Sequence, residues 1–249
     1  MRKHRLLLAL TLLPALVHGQ GAPAAALDTA AMVLDTYLRM LNHDGIPSDS
    51  TLVLETTISV YGTTDTTYMR RWFTAPDMFR VEVEHNGYLQ FAIYGNGKDR
   101  FRSFNIHTRE WEDVDQEHLM THLSGYDFRT PLYRWREKKA KITWCGHTTL
   151  KGQRLQVVKV VMPGYFDRYY MFDPTNGLLT LVIETSPDSE ASYQRSSQGR
   201  IDWKTYHEYL PIGEALVTSL ESFMRDGQLT IMATTPRMEA RNERYFNQD

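Results

Sequence analysis

From residue 50 onward the chain changes face at every second residue, and that period of two decides what it can fold into. Leu52, Leu54, Thr56, Ile58 and Val60 alternate with Val53, Glu55, Thr57, Ser59 and Tyr61, the pattern of a half-buried strand. Gly62 with Thr63-Thr64-Asp65 turns the chain back through Thr67 to Thr74, and Ala75-Pro76-Asp77 breaks it again. Phe79-Val81-Val83 and Leu89-Phe91-Ile93 flank the hairpin pair Asn86-Gly87, and Asn96-Gly97 leads into Asp99 to Ile106. Strands joined by turns this short pair antiparallel, so the spacing predicts a five-strand meander.

A helical period precedes it. Ala31, Leu34, Leu38 and Leu41 recur on one face between Asp28 and Asn42, after an Ala-rich stretch at 22–26 that reads as a flexible leader; Asp28 or Thr29 caps the start and Asp44-Gly45-Pro47 supplies the stop. Between about 113 and 140 the alternation lapses into one or two short helices. One follows Asp115 and carries Leu119, Met120 and Leu123; the other opens at Thr130-Pro131 and runs over Leu132 to Lys139. Strand periodicity resumes at Lys141 and continues to Thr235, interrupted by a polar loop at 187–199. The expected class is α+β: a single antiparallel sheet of about eleven strands, curled into an incomplete, half-open barrel, with helices lidding its concave face.

The amino terminus shifts the charge arithmetic. Residues 1–19 place Arg2, Lys3 and Arg5 before an apolar run from Leu6 to Val17 and end in Val17-His18-Gly19, the order of a secretory signal peptide cut before Gln20. The apolar run falls short of the roughly 20 residues that span a bilayer. Without the leader, 25 basic side chains face 30 acidic ones, a net charge of −5 for residues 20–249. Such a balance suits an exported soluble domain and argues against an anionic membrane as a tight electrostatic partner, and the net charge of −2 for the whole chain already supplies no broad positive field for nucleic acid. No further membrane-spanning segment is expected in the mature chain. Cys145, alone, forms no internal disulfide and reads as a buried structural thiol.

Traces of catalysis are poor. The chain lacks Gly-x-Ser-x-Gly, Ser-x-x-Lys and a second Cys. Gly95-Asn96-Gly97-Lys98 reads as a hairpin turn rather than a phosphate loop. His118 and His122 sit four apart, a helical spacing that metals use, but no third ligand accompanies them and they read as a solvated or lid-surface pair. His207-Glu208 reads as a solvent-facing pair without a partner, and the acidic run Glu110, Glu112, Asp113, Asp115 as the charged start of a helix. Tyr68-Met69-Arg70-Arg71-Trp72-Phe73 reads as a cross-strand ladder rather than a nucleic-acid surface. No catalytic residue, metal or cofactor is expected.

The apolar material remains. Leu54, Ile58, Val60, Trp72, Val81, Val83, Phe91 and Ile93 are assigned to the concave face, closed by helices bearing Leu34, Leu38, Leu119, Met120 and Leu123. These residues either pack solid or line a cavity for a ligand.

The order of elements resembles the LolA-like superfamily of periplasmic lipoprotein carriers and outer-membrane lipoprotein-sorting proteins. Phe73-Thr74-Ala75-Pro76-Asp77-Met78-Phe79-Arg80-Val81-Glu82 resembles that group's strand, Pro-x-x-x-Arg turn and following strand. Tyr170 to Leu179 is similar to its Phe-Asp-x-x-Thr-Gly-Leu hairpin, with Asn176 inserted, and Arg241-Asn242-Glu243-Arg244-Tyr245-Phe246 to its closing segment. The resemblance covers roughly residues 28–246. It implies a half-open barrel with a helical lid over a hydrophobic cavity, used by different members for lipoprotein acyl chains, glycolipids or signalling peptides and lipids. Two expectations follow: a non-enzymatic carrier of a lipid or acylated lipoprotein, or an envelope module that recognises a protein partner on the same sheet.

Overall fold

The computed structural model describes residues 24–74, 78–96, 101–114, 129–162, 167–185, 202–225 and 227–246. Its frame is one antiparallel sheet of 13 strands, more than the eleven or so expected, and the sheet is open, with β6 and β7 as its two edges. The first meander comprises β1 (Ser50–Val60), β2 (Thr66–Thr74), β3 (Met78–His85), β4 (Tyr88–Asn96), β5 (Phe101–Asn105) and β6 (Glu110–Asp113). The second comprises β7 (Lys141–Leu150), β8 (Gln153–Val161), β9 (Asp167–Phe172), β10 (Leu179–Thr185), β11 (Asp202–Ile212), β12 (Ala215–Arg225) and β13 (Gln228–Ala240). The last strand returns to the first: β13 pairs β1 from Ser50↔Ala240 to Val60↔Thr230, fusing the two meanders.

Three sequence expectations are corrected. The run Glu110, Glu112, Asp113 is an edge strand rather than a helix start; charge is what an edge tolerates and what discourages further pairing. Residues 131–139 form consecutive turns instead of a helix. Arg134 and Lys139 adopt left-handed φ values of 53° and 55°, while Leu132 and Trp135 are buried three apart, so the helical spacing came from packing on both. The α-helix α1 (Ala24–Leu41) begins inside the expected leader, where alanine, the best helix former, extends it. It ends at Asn42, left-handed at φ 46°, ahead of the expected Gly45 stop. Among the described residues α1 is the one α-helix; the expected helix carrying Leu119, Met120 and Leu123 lies outside them, as do the loop at 187–199 and residues 1–23.

α1 packs against β7, β8 and β12. Ala30, Val33, Leu34, Tyr37 and Leu41 are buried there with Val158, Tyr170 and Phe172, and the Tyr37 ring tilts against Phe172 at 5.3 Å. The Phe172–Leu179 hairpin seats beneath the helix. Its turn is closed by Gly177 N–H donating to Asp173 O and Thr175 N–H to Asp173 Oδ1, both at 2.8 Å. Gly177 has φ 73°, a backbone conformation that favours glycine, and a Cβ there would stand 3.0 Å from Thr36 Cγ2 of α1, a contact tight enough to press on the helix.

Candidate binding face

Residues directly opposite in an antiparallel ladder share a face. The register Trp144–Val158–Tyr170–Val182–Lys204–Phe223–Thr230–Val60 therefore puts the α1-bearing surface of β7 and the Val60 side of β1 on one inner face. On the first meander that face continues through two rows: Leu54–Arg71–Val81–Ile93 and Thr56–Met69–Val83–Phe91.

The inner face carries two apolar clusters. Under α1, Leu34 is fully buried and Leu38 half-buried, in packing that includes Leu132, Trp135 and Tyr170. On the first meander, Leu54, Val81 and Ile93 are buried with Phe73 and Phe79, while Ile58, Val83, Phe91, Met232 and Met238 are only half-buried against them. Val60 is half-buried at the strand end. Phe79 and Phe101 close over Gly95, where a Cβ would stand within 2.9 Å of both rings.

Trp72 does not join this set. It pairs with Val53 and Arg80, one residue out of phase with Arg71, and so lies on the outer face. There it is buried with Val53 and Phe246, its ring 5.5 Å from Tyr245. Arg80, from the Pro-x-x-x-Arg turn, shares this face; it donates to Glu82 and to the Tyr245 carbonyl, pinning the closing segment. The expected concave-face set thus divides into an inner group of Leu34, Leu38, Leu54, Ile58, Val60, Val81, Val83, Phe91 and Ile93, and Trp72 outside. Leu119, Met120 and Leu123 fall outside the described residues.

Charge divides the two faces as well. The outer face carries Glu55, Arg70, Glu82, Glu84, Arg237 and Glu239, with Glu55 accepting from Arg70 at 3.1 Å and from Arg237 at 2.9 Å. Those two guanidiniums hold the Glu55 carboxyl below its ordinary range, Arg237 most strongly. An open depression of about 360 Å³ is lined by Glu55, Arg70, Glu82, Glu84 and Tyr68 and is polar. Sequence reading missed Arg71. On the inner face of β1–β4 and β13 it carries the one permanent charge among the described side chains, donating from Nη2 to Thr56 Oγ1 at 3.1 Å. The signal lay in the β1–β2 register, which puts Arg71 opposite Leu54. Thr56 in turn shares a 2.9 Å hydrogen bond with Thr234, both buried.

Between the apolar clusters lies a polar seam. Lys204 Nζ meets Glu221 Oε2 at 2.6 Å, and Tyr206 and Tyr209 stack at 6.5 Å beside Tyr37. Burial pushes the Tyr37, Tyr206 and Tyr209 phenols above their ordinary value near 10. These groups stay neutral and act as packing with hydrogen-bonding tips; Tyr209 donates to Leu179 O at 2.9 Å.

The remaining candidates resolve as structural. His207 pairs with Ser222 at 2.7 Å and Glu208 accepts from Ser219 at 2.9 Å, so this pair has the cross-strand partners that sequence reading denied it. Cys145 occupies a bulge in edge strand β7, half-buried rather than buried, and burial raises its thiol pKa, away from reactivity. His118 and His122 lie outside the described residues, among which no group of three His, Cys, Asp or Glu side chains is placed to hold a metal and no helix is long and apolar enough to cross a membrane.

No family model matches the sequence, and no curated protein matches it either. Among solved structures the chain is similar to a LolA superfamily protein from Nitrosomonas europaea, with a TM-score of 0.59 at 12% identity over 88% of this chain and 98% of that one. A DUF1329 family protein from Desulfovibrio piger gives 0.58 at 9% identity, over 88% and 97%. An outer membrane lipoprotein-sorting protein domain from Vibrio parahaemolyticus gives 0.53 at 10%, over 90% and 96%. At such identities the likeness is one of fold: the chain has the LolA-like architecture of an open curled sheet with a helix.

Proposed function

We propose that this protein is an exported, non-enzymatic binding or carrier protein that holds the acyl chain of a lipid or lipidated protein on the inner face of β1–β4 and β13. The observation that carries the reading is the half-buried apolar group Ile58, Val83, Phe91, Met232 and Met238, set on a buried layer of Leu54, Val81 and Ile93. Hydrocarbon laid on such a surface gains about 0.8 kcal/mol per buried methylene, enough for binding without any reactive group. The likeness in fold to a LolA superfamily protein and to a lipoprotein-sorting domain supports the same reading. In this reading residues 1–19 are removed before Gln20, the product works in the periplasm or beyond it, and the segment carrying Leu119, Met120 and Leu123 serves as lid.

Native mass spectrometry of the gently purified exported protein, followed by solvent extraction, tests the reading. An acyl-bearing mass released on extraction supports it. A bare chain that also ignores added lipid overturns it. One observation favours a second reading, an envelope protein-interaction module: under α1 the inner face is filled by side chains, with Leu34 and Leu132 fully buried. Crosslinking that recovers a protein partner from a lipid-free sample would favour it.

A further inference from the structure

We infer that the ligand of the inner face brings an acyl carbonyl, the oxygen-bearing end of a fatty chain, to the polar seam, and that the Tyr206 hydroxyl is the donor that receives it. The inference rests on the carrier reading and fixes where the polar end of the ligand sits.

The register places Tyr206 opposite Glu221, Glu221 opposite Met232 and Met232 opposite Ile58, so one inner-face row runs from the seam onto the half-buried apolar surface. With strands about 4.8 Å apart, Met232 stands roughly 10 Å from Tyr206, within the span of a single fatty chain. The other polar groups of the seam are spent on partners in the fold. Lys204 Nζ is paired with Glu221 Oε2 at 2.6 Å, Tyr209 donates to Leu179 O at 2.9 Å, and Tyr37 meets Thr130 and Tyr209. The Tyr206 hydroxyl makes no hydrogen bond among the described residues. Its ring is nevertheless held in place, stacked on Tyr209 at an interplanar angle of 17°, with Lys204 Nζ 5.0 Å from its centroid. Burial keeps the phenol protonated at neutral pH, so it presents a donor there.

Tyr206 is half-buried, and a chain laid along this row covers it. A purely hydrocarbon ligand would shut the hydroxyl away from water with nothing to bond, which is unfavourable for any polar group. A carbonyl oxygen at the seam end of the chain accepts from the hydroxyl and removes that cost. Two sources carry such an oxygen, an esterified acyl chain and a free fatty acid.

Three probes with one twelve-carbon chain test this by calorimetry on the purified exported protein: 1-dodecanoylglycerol, its ether analogue 1-dodecylglycerol, in which a methylene replaces the carbonyl, and dodecanoate. Tyr206→Phe keeps the stacked ring and removes only the hydroxyl. It is expected to weaken at least one of the two carbonyl-bearing probes about three- to tenfold, the factor of one neutral hydrogen bond, and to leave the ether unchanged. Unchanged ether binding also reports that the variant is folded. Loss by the ester supports an esterified chain as the ligand, and loss by dodecanoate alone a free fatty acid. Loss by neither, or equal loss by all three, overturns the role given to Tyr206 and leaves the carrier reading standing. Failure of all three probes to bind the native protein overturns both.

Discussion

Substitutions at Trp72 and Phe91 probe opposite faces of one sheet. Trp72 is buried between Val53 and Phe246, so Trp72→Ala is expected to cost about 3–5 kcal/mol of stability and leave dodecanoate affinity unchanged. Phe91→Asp, on the half-buried inner surface, is expected to cost less stability and to abolish binding. Urea unfolding and calorimetry on both variants check the pair; retained binding in Phe91→Asp would sink the assignment of the face. Charge state is set residue by residue as well. The Tyr37, Tyr206 and Tyr209 phenols have raised pKa values through burial, so their contribution is complete below the unfolded phenol value of about 10 and is lost as pH rises from there through the folded values. Stability should therefore fall above pH 10, and Tyr206→Phe should flatten that fall. A urea midpoint that drops equally from pH 8 to pH 11 in the native protein and in Tyr206→Phe would refute the role given to this tyrosine.

Elements show what local pattern could and could not specify. The core of α1 and the β3–β4 hairpin were legible because a 3.6-residue stripe and an Asn-Gly pair each have one local solution. Edge strand β6 was not, since its acidic residues carry no alternating apolar signal and its pairing with β5 is a tertiary fact. Residues 131–139 misled because Leu132 and Trp135 are buried against the α1 cluster at helical spacing without a helix between them. The seating of the Phe172–Leu179 hairpin under α1 can be measured directly. Gly177 and Gly152 both have positive φ, 73° and 83°, but only Gly177 has α1 atoms where a Cβ would go. Each glycine-to-alanine change incurs about 1–2 kcal/mol of backbone strain. Gly177→Ala should cost clearly more than Gly152→Ala in urea unfolding. Equal costs would mean that the hairpin does not bear on the helix.

At the scale of the molecule, alternation told which residues share a strand face but not which strands stand next to each other, and it placed Trp72 on the wrong side by a single residue of phase. The sheet order also joins what the sequence separates. Because β13 pairs β1 without a break from Ser50 to Val60, the packed half under α1 and the apolar half on β1–β4 share one ladder rather than forming two domains. A row of inner-face residues runs from Trp144 on β7 to Val60 on β1, so separating the halves would break backbone pairing along eleven residues of β1. The molecule should therefore unfold as one cooperative unit, and ligand bound to one half should stabilise the other. A ligand at a hundredfold its dissociation constant adds about 2.7 kcal/mol to the unfolding free energy. Hydrogen exchange followed by mass spectrometry should then find saturating dodecanoate slowing the most protected amides of β8 and β9, around Val158 and Tyr170, by the same factor as those of β1 and β2. Protection confined to β1–β4 would instead mean that the halves open independently, with the β1–β13 ladder acting as a hinge between a packed base and a separate binding surface.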